Sequence, residues 1–465
     1  MNSDAWPRRQ DRLPTAALLG AWASAVAVAP TAGMKAALAA PAALASAWWA
    51  LQKPARWVAL FFAAVLLLPP LPIPIGDSGP HPAMAVAALG LFAGVLWLPR
   101  WRIPGSGLAA AFVALFGTLL ASVAMAAWRS GPEIAAASLA RVALFGIGLY
   151  IFFYTAHGPG RDEDGFGGVR RLYWIAVAAA LFACIDFYFQ FPAPAGYGPQ
   201  FVWLDTGVYR RAQGLFYEAS TLGNFCAFFL VMIAVALARP RGESPVSRKG
   251  LVAGGAILFA SLVLSYSRAS LVNVAVALAV LAWLHRKRVR FARLVPAMAV
   301  GVTAGVLITW QVFPRFTELY WLRLSGSAEY FFSATESVFS GRVASWQTLV
   351  DWVAAHPWQA LVGIGYKTLP YSDYLGAPVI GDNMYLTVLV ETGIVGLAAL
   401  LWLNAAILRA AGRAARAEDR RTSFYGAWML CFWAGQTIQM LSSDLLTYWR
   451  VLPVYFWVLA LAVRA

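Results

Sequence analysis

Arginines and carboxylates set in otherwise apolar sequence are where this chain could do chemistry. The first group is Tyr209-Arg210-Arg211-Ala212-Gln213-Gly214-Leu215-Phe216-Tyr217-Glu218. The second is Ser265-Tyr266-Ser267-Arg268-Ala269-Ser270, and the third is Ser340-Gly341-Arg342 with Trp346, His356-Pro357 and Gly363-Ile364-Gly365-Tyr366. The last is Gly381-Asp382-Asn383-Met384-Tyr385-Leu386, running on through Glu391-Thr392-Gly393-Ile394-Val395-Gly396. A guanidinium is a rigid fork of donors that matches a phosphate, so Arg210, Arg211, Arg268 and Arg342 are candidates for holding an anion. A carboxylate such as Asp382 can orient or deprotonate a hydroxyl. Glu218, Tyr385 and Glu391 stand beside these groups as further candidate substrate contacts. Each has a plainer reading. Arginines at a bilayer edge snorkel to headgroups, Arg268 fits a hairpin turn, and Asp382 or Asn383 is well placed as a helix N-cap.

What must position these groups is a membrane bundle. The chain is 61% hydrophobic, and apolar windows of roughly 18 residues or more recur from end to end, the signal for membrane-spanning helices. Spans are expected near 14–31, 34–51, 57–75, 82–98, 107–127, 134–156, 171–192, 219–237, 250–266, 268–286, 293–313, 384–407, 423–441 and 447–463. The expected fold is an all-α polytopic membrane protein of about 12–14 transmembrane helices, one integral membrane domain over 1–465. Two long connections interrupt it, 193–218 and 314–383. The second carries a short amphipathic helix from Arg342 to Trp358, with Val343, Trp346, Leu349, Val350 and Val353 on one face.

Charge sets the expected topology. The net charge of +15 would suggest nucleic acid only if it formed a patch. Here Lys and Arg are spread over short loops, which is the positive-inside pattern, and no nucleic-acid partner is expected. With Arg8, Arg9 and Arg12 cytoplasmic, Lys53 and Arg56, Arg100 and Arg102, the basic run at 285–293 and the one at 409–421 all fall inside. Both termini are then cytoplasmic, the N-terminal apolar run is a first span rather than a signal peptide, and the long loops face the periplasm of a bacterial inner membrane. Arg210, Arg211, Arg268, Arg315, Arg323 and Arg342 lie on the side the rule does not favour. Arg141 lies about seven residues into a span, where an ionisable group is costly and marks function or a partner. Glu391, about nine residues past Asp382 and so roughly 14 Å along a helix, is expected to face the bundle interior or to pair with an arginine such as Arg141. Gly393 and Gly396 allow close helix approach. Cys184, Cys226 and Cys431 lie in apolar segments without CxxC spacing, and the histidines have no metal-ligand spacing. No disulfide, metal or cofactor is expected.

In this order and topology the motifs resemble the O-antigen ligase and O-antigen polymerase superfamily over roughly residues 205–400, the core called Wzy_C. The resemblance rests on Arg211 with Gly214, Ser267-Arg268-Ala269, Gly341-Arg342 with Trp346, His356-Pro357, Gly363-Ile364-Gly365, and Asp382-Asn383-Met384-Tyr385-Leu386 with Glu391, Gly393 and Gly396. It implies a GT-C-like membrane glycosyltransferase whose donor is an undecaprenyl-diphosphate-linked glycan. An acceptor hydroxyl would attack the anomeric carbon with inversion, on the periplasmic face and without a metal. Arg211 and Arg268 would hold the diphosphate, with Arg342 as a third cation. Implied partners are the lipid-linked glycan, membrane lipids, and a chain-length regulator or a lipid A–core acceptor. Ligases of the superfamily carry His, then ten residues, then Gly. Here that spacing runs from Asp382 to Gly393, so Asp stands where they keep His. That departure points toward a polysaccharide polymerase, with a ligase acting on lipid A–core or a protein as the alternative. A lipid-linked glycan transporter, with Arg141, Asp186 and Glu391 lining a path, is a third class. It would predict inverted repeats, and none is visible.

Overall fold

The computed structural model describes residues 41, 43–71, 80–102, 105–159, 166–194, 197–204, 207–240, 243–286, 310–311, 318, 321 and 342–464. The expected span 14–31, nearly all of 293–313, Gly341, Arg315 and Arg323 lie outside them. The protein is an all-α polytopic membrane protein. In chain order its helices are α1 (Arg56–Leu67), α2 (Ala83–Leu96), α3 (Gly107–Ser130), α4 (Pro132–Ala156), α5 (Gly167–Phe189), α6 (Ala219–Leu237), α7 (Arg248–Leu264), α8 (Arg268–Leu284), α9 (Arg342–Ala355), α10 (Gln359–Val362), α11 (Met384–Ala415), α12 (Arg420–Gln439) and α13 (Leu452–Val463). Among the described residues, α3, α4, α5, α6 and α11 are long and apolar enough to cross a membrane, and α1, α2, α8 and α13 are shorter apolar helices. Polar caps fix several starts. Ser106 accepts from Ala109 N, Ser247 from Gly250 N and Asp419 from Thr422 N, each satisfying an amide the helix itself leaves open.

Successive helices run up and down, with α3 on α4, α6 on α7 and α11 on α12, and α11 also packs on α3. In lipid there is little hydrophobic force between helices, so close packing and interhelical hydrogen bonds must hold them. Both are present. Phe228, Trp428 and Tyr455 cluster, with ring centroids 4.4 Å apart from Phe228 to each of the other two. Below the α7–α8 joint, Asn224 Nδ2 donates to Gln436 Oε1 at 2.6 Å and to Gln439 Oε1 at 2.9 Å, and Asn273 Nδ2 reaches the same two oxygens. Gln439 Nε2 donates to Ser270 Oγ and the Tyr455 hydroxyl to Asn224 Oδ1. This buried web fastens α6, α8, α12 and α13 and so fixes the helix that begins at Arg268.

The longest helix is broken on purpose. Inside α11, Gly393 adopts φ 73° and ψ −174°, a backbone region that side chains avoid. The break leaves the Val390 and Glu391 carbonyls without helical partners, and they accept from Ile364 N at 3.0 Å and Gly365 N at 2.8 Å. Gly363, at φ 78°, makes the turn that brings those amides in. A β-carbon on Gly393 would strike the Leu361 carbonyl, and one on Gly363 the Glu391 carbonyl. Sequence spacing read Gly393 as allowing close helix approach, which it does against the Leu361 backbone of α10; the kink is the feature that spacing did not show.

Two local features differ from expectation. Phe201–Leu204 (β1) and Gly207–Arg210 (β2) pair antiparallel, with Phe201 opposite Arg210; the aromatic and β-branched residues here form a hairpin rather than loop. The amphipathic helix α9 is present, but its buried residues are Leu349 and Trp352, and Val350 is 50% exposed. The helix is turned so that Leu349 and Trp352 meet Ile364, Leu369 and Val390 in a small core separate from the main one.

Replacing Gly393 by Ala should lower the thermal midpoint of the purified protein, because a side chain in this nearly glycine-only backbone region costs about 1–3 kcal/mol and the Leu361 carbonyl must also move. Gly117→Ala in α3, where nothing lies within 4 Å of the added methyl, should leave the midpoint unchanged or raise it. Equal midpoints for the two variants would remove the kink from the argument.

Candidate active site

A cavity of about 520 Å³ opens between the connections that precede α6, α11 and α13. Its charged lining comprises the cations Arg141, Arg211, Arg342, Lys367 and Arg450 and the acids Glu218, Asp382, Glu391 and Asp444.

Arg211 is laid along the joint between α7 and α8. Tyr266 takes φ 52° there, which turns the chain between the two helices. The freed carbonyls are used at once: Ala212 N donates to Leu264 O and Arg211 Nε to Ser265 O, each at 2.9 Å. Arg268 opens α8 just beyond. Arg211, Arg268 and Arg342 lie within Coulombic reach of one another. Burial pushes the Arg211 guanidinium below its ordinary pKa, with Arg342 and Arg268 adding to the shift and Tyr448 and Glu218 opposing it. Even so, an arginine stays charged. A concentration of positive charge in a half-buried site favours an anion.

Asp382 and Asn383 have separate duties. Asn383 is the cap of α11, its Oδ1 accepting from Tyr385 N at 3.1 Å and Leu386 N at 3.2 Å. Asp382 sits at φ 42°, a left-handed conformation that Asp tolerates better than most residues. Its side chain is thereby free of capping, and Oδ2 accepts from Arg342 Nε at 2.8 Å. Trp346 Nε1 donates to Gly381 O at 2.6 Å beside it. These two bonds bind α9 over the cavity.

Glu218 lies at the start of α6, and its Oε2 accepts from the Thr221 hydroxyl at 2.6 Å. Burial raises its pKa, the Thr221 hydrogen bond opposes that, nearby Asp382 raises it further and Arg211 lowers it. Deeper in, Lys367 forms an ion pair with Asp444. Burial pushes the Lys367 ammonium down, but Asp444, Tyr366 and Glu391 together hold it above its ordinary value. Glu391, fully buried, accepts from Leu369 N at 3.1 Å.

The expected residues do not all meet. Arg211, Arg342, Asp382, Glu218, Arg141 and Glu391 share the cavity wall. Arg268 is adjacent but is not among the lining side chains. Arg210, the last residue of β2, is turned away to Asp186, 3.7 Å from its carboxylate. Tyr385 donates to Thr437 O at 2.8 Å and joins α11 to α12 instead of lining the cavity. The cation beside Glu391 is Lys367 rather than Arg141, since the Gly363–Gly365 turn draws that loop onto the kink. Arg141 donates to the Tyr371 hydroxyl at 3.0 Å. Sequence reasoning passed over Lys367, Asp444, Tyr448 and Arg450. Lys367, the only lysine in the long connection 314–383, was a signal that could have been used. Arg450 gave less warning. It donates to Val65 O, Leu68 O and Leu215 O, where a cation meets the C-terminal end of α1, and burial pushes it down to about 10.

Residues 253–401 match the family model Wzy_C, described as O-antigen ligase. That match supports the resemblance to the O-antigen ligase and polymerase superfamily. The Wzy_C stretch contains Arg268, Arg342, Asp382, Glu391 and the Gly393 kink, and it supports glycan transfer in a membrane with a lipid-linked glycan as substrate. Arg211, Glu218 and Asp444 lie outside the Wzy_C stretch in sequence but share its cavity. No curated protein matches the chain.

Because Asn383 alone caps α11, Asn383→Ala should cost about 1 kcal/mol of stability. Asp382→Asn, which keeps a side chain tolerant of the left-handed backbone, should leave the thermal midpoint close to that of the unaltered protein. The reverse order would make Asp382 the cap.

Proposed function

We propose that the protein transfers glycan from a polyprenyl-diphosphate carrier to an acceptor sugar hydroxyl, acting as a polysaccharide polymerase on the periplasmic face of a bacterial inner membrane. The observation that carries this reading is the gathering of Arg211 and Arg342 with Asp382 at one cavity, with Arg268 adjacent and within Coulombic reach of both arginines. When the bond from the anomeric carbon to the diphosphate breaks, negative charge grows on the leaving group. Guanidiniums already in place stabilise that charge without reorganisation. Arg211 and Arg268 hold the diphosphate, and Arg342, kept in position by Asp382, reaches it from above. Asp382 orients the acceptor hydroxyl toward the face of the anomeric carbon opposite the leaving group. Arg141 and Glu391, across the cavity, contact the sugars, and the prenyl tail leaves between helices into the lipid. The strongly basic loops fall at the opposite ends of these helices, which supports a cytoplasmic location for that side.

A second reading has its own support. The matched family is described as O-antigen ligase, and a ligase would use the same donor site to place finished glycan on lipid A–core or on a protein. Asp382, where ligases keep His, favours the polymerase.

Arg268→Ala should abolish transfer while leaving expression and folding intact; surface glycan of normal length and amount would overturn the diphosphate assignment. Asp382→Ala should impair transfer more than Asp382→Asn or Asp382→His. A deletion strain distinguishes the two readings on a gel of surface glycans: loss of long chains with single repeats retained marks a polymerase, whereas lipid-linked polymer with none attached to an acceptor marks a ligase.

A further inference from the structure

Two carboxylates stand in the arginine half of the cavity, and their surroundings differ. Asp382 is engaged by the Arg342 guanidinium, whose Nε donates to its Oδ2 at 2.8 Å. Glu218 is engaged through Oε2 by a neutral hydroxyl, that of Thr221. The groups facing Glu218 are Arg211 from the connection before α6, Asp382 from the start of α11, and Asp444 and Tyr448 from the connection before α13. Two of these are carboxylates and one is a cation, while Tyr448 is itself held neutral by burial. Burial first, and then the two neighbouring carboxylates, keep a proton on Glu218 to higher pH than an ordinary carboxyl, against the Thr221 hydrogen bond and Arg211. Pairs of carboxylates whose environments diverge in this way divide acid–base roles between them.

Building on the glycan-transfer reading, we propose that Glu218 is the general base that takes the proton from the acceptor hydroxyl, and that Asp382 is a positioning residue that holds Arg342 and the acceptor. In that step the acceptor O–H bond breaks and its proton passes to Oε1 of Glu218. The oxygen's electron pair forms the new bond to the anomeric carbon. The bond from that carbon to the diphosphate oxygen breaks, and its electron pair leaves on the diphosphate between Arg211 and Arg268. Glu218 then returns the proton to water as the product departs.

The test uses the full chain reconstituted in lipid vesicles, with lipid-linked oligosaccharide extracted from cells lacking the gene as substrate. The kcat/KM of the unaltered protein should fall on the acid side through a pKa above the ordinary carboxylate range, because a base must be ionised to accept a proton. Glu218→Gln should lose about 10²–10⁴-fold and flatten that acid limb. Glu218→Asp should recover part of the rate with the limb restored. Asp382→Asn should lower the rate and keep the limb. An infrared pH titration of the resting protein reads the same group without turnover, since the carboxylic C=O band should lose intensity in Glu218→Gln and keep it in Asp382→Asn. An acid limb that survives Glu218→Gln, or one erased by Asp382→Asn, overturns the assignment. A protein that transfers nothing at any pH overturns the transfer reading, and this inference with it.

Discussion

Inside a bilayer a backbone carbonyl has no water to turn to, so an interrupted helix survives only if other groups take up what the interruption frees. The rest of the site depends on that condition being met at Gly393. The kink releases the Val390 and Glu391 carbonyls, and the amides of Ile364 and Gly365 accept the task of satisfying them. One pair of glycines, Gly363 and Gly393, therefore ties the long connection to the membrane helix that follows it. Once the loop is seated, Leu369 N reaches Glu391 and Lys367 reaches Asp444. The start of α11 and the helix α9 are then brought together so that Arg342 can meet Asp382.

The charges divide into two sets by how they are compensated. Lys367 and Asp444 are deep and paired with each other, and Glu391 takes the loop amide of Leu369 through Oε1. Their energy goes into holding the loop, since removing one partner of a buried ion pair is far more costly than the pair is favourable. Arg211, Arg268 and Arg342 form the other set, in which like charges are held near one another by the α7–α8 joint and by α9. The buried amide web of Asn224, Asn273, Gln436 and Gln439 lies beneath that joint and makes its rigidity affordable within lipid.

Helices were the most legible part of the sequence. The span expected at 219–237 is observed as Ala219–Leu237, and 107–127 as Gly107–Ser130, because apolar length is a direct physical requirement of the membrane. The arginine motifs were legible for the same reason, since a charge next to lipid stands out. Partnerships were not. Nothing in the local sequence of Arg210 distinguishes it from Arg211, yet the first, at the end of β2, reaches Asp186 and the second, just past the strand, the Ser265 carbonyl. The choice between Asp382 and Asn383 as cap turns on a single dihedral angle. Lys367 and Asp444 are 77 positions apart and meet only through the kink, which depends on a glycine that spacing alone read as a packing contact.

The connection between α9 and α11 carries its own small core, in which Leu349, Trp352, Ile364, Leu369 and Val390 enclose one another apart from the main body. Only Val390 of these belongs to a membrane helix. The arrangement is modular in the way a tool with exchangeable heads is modular. The bundle meets the demands of the bilayer, and the overlying piece can drift in sequence so long as its few apolar residues still fill one another's gaps. The cover can thus change without rebuilding the part that must live in the membrane.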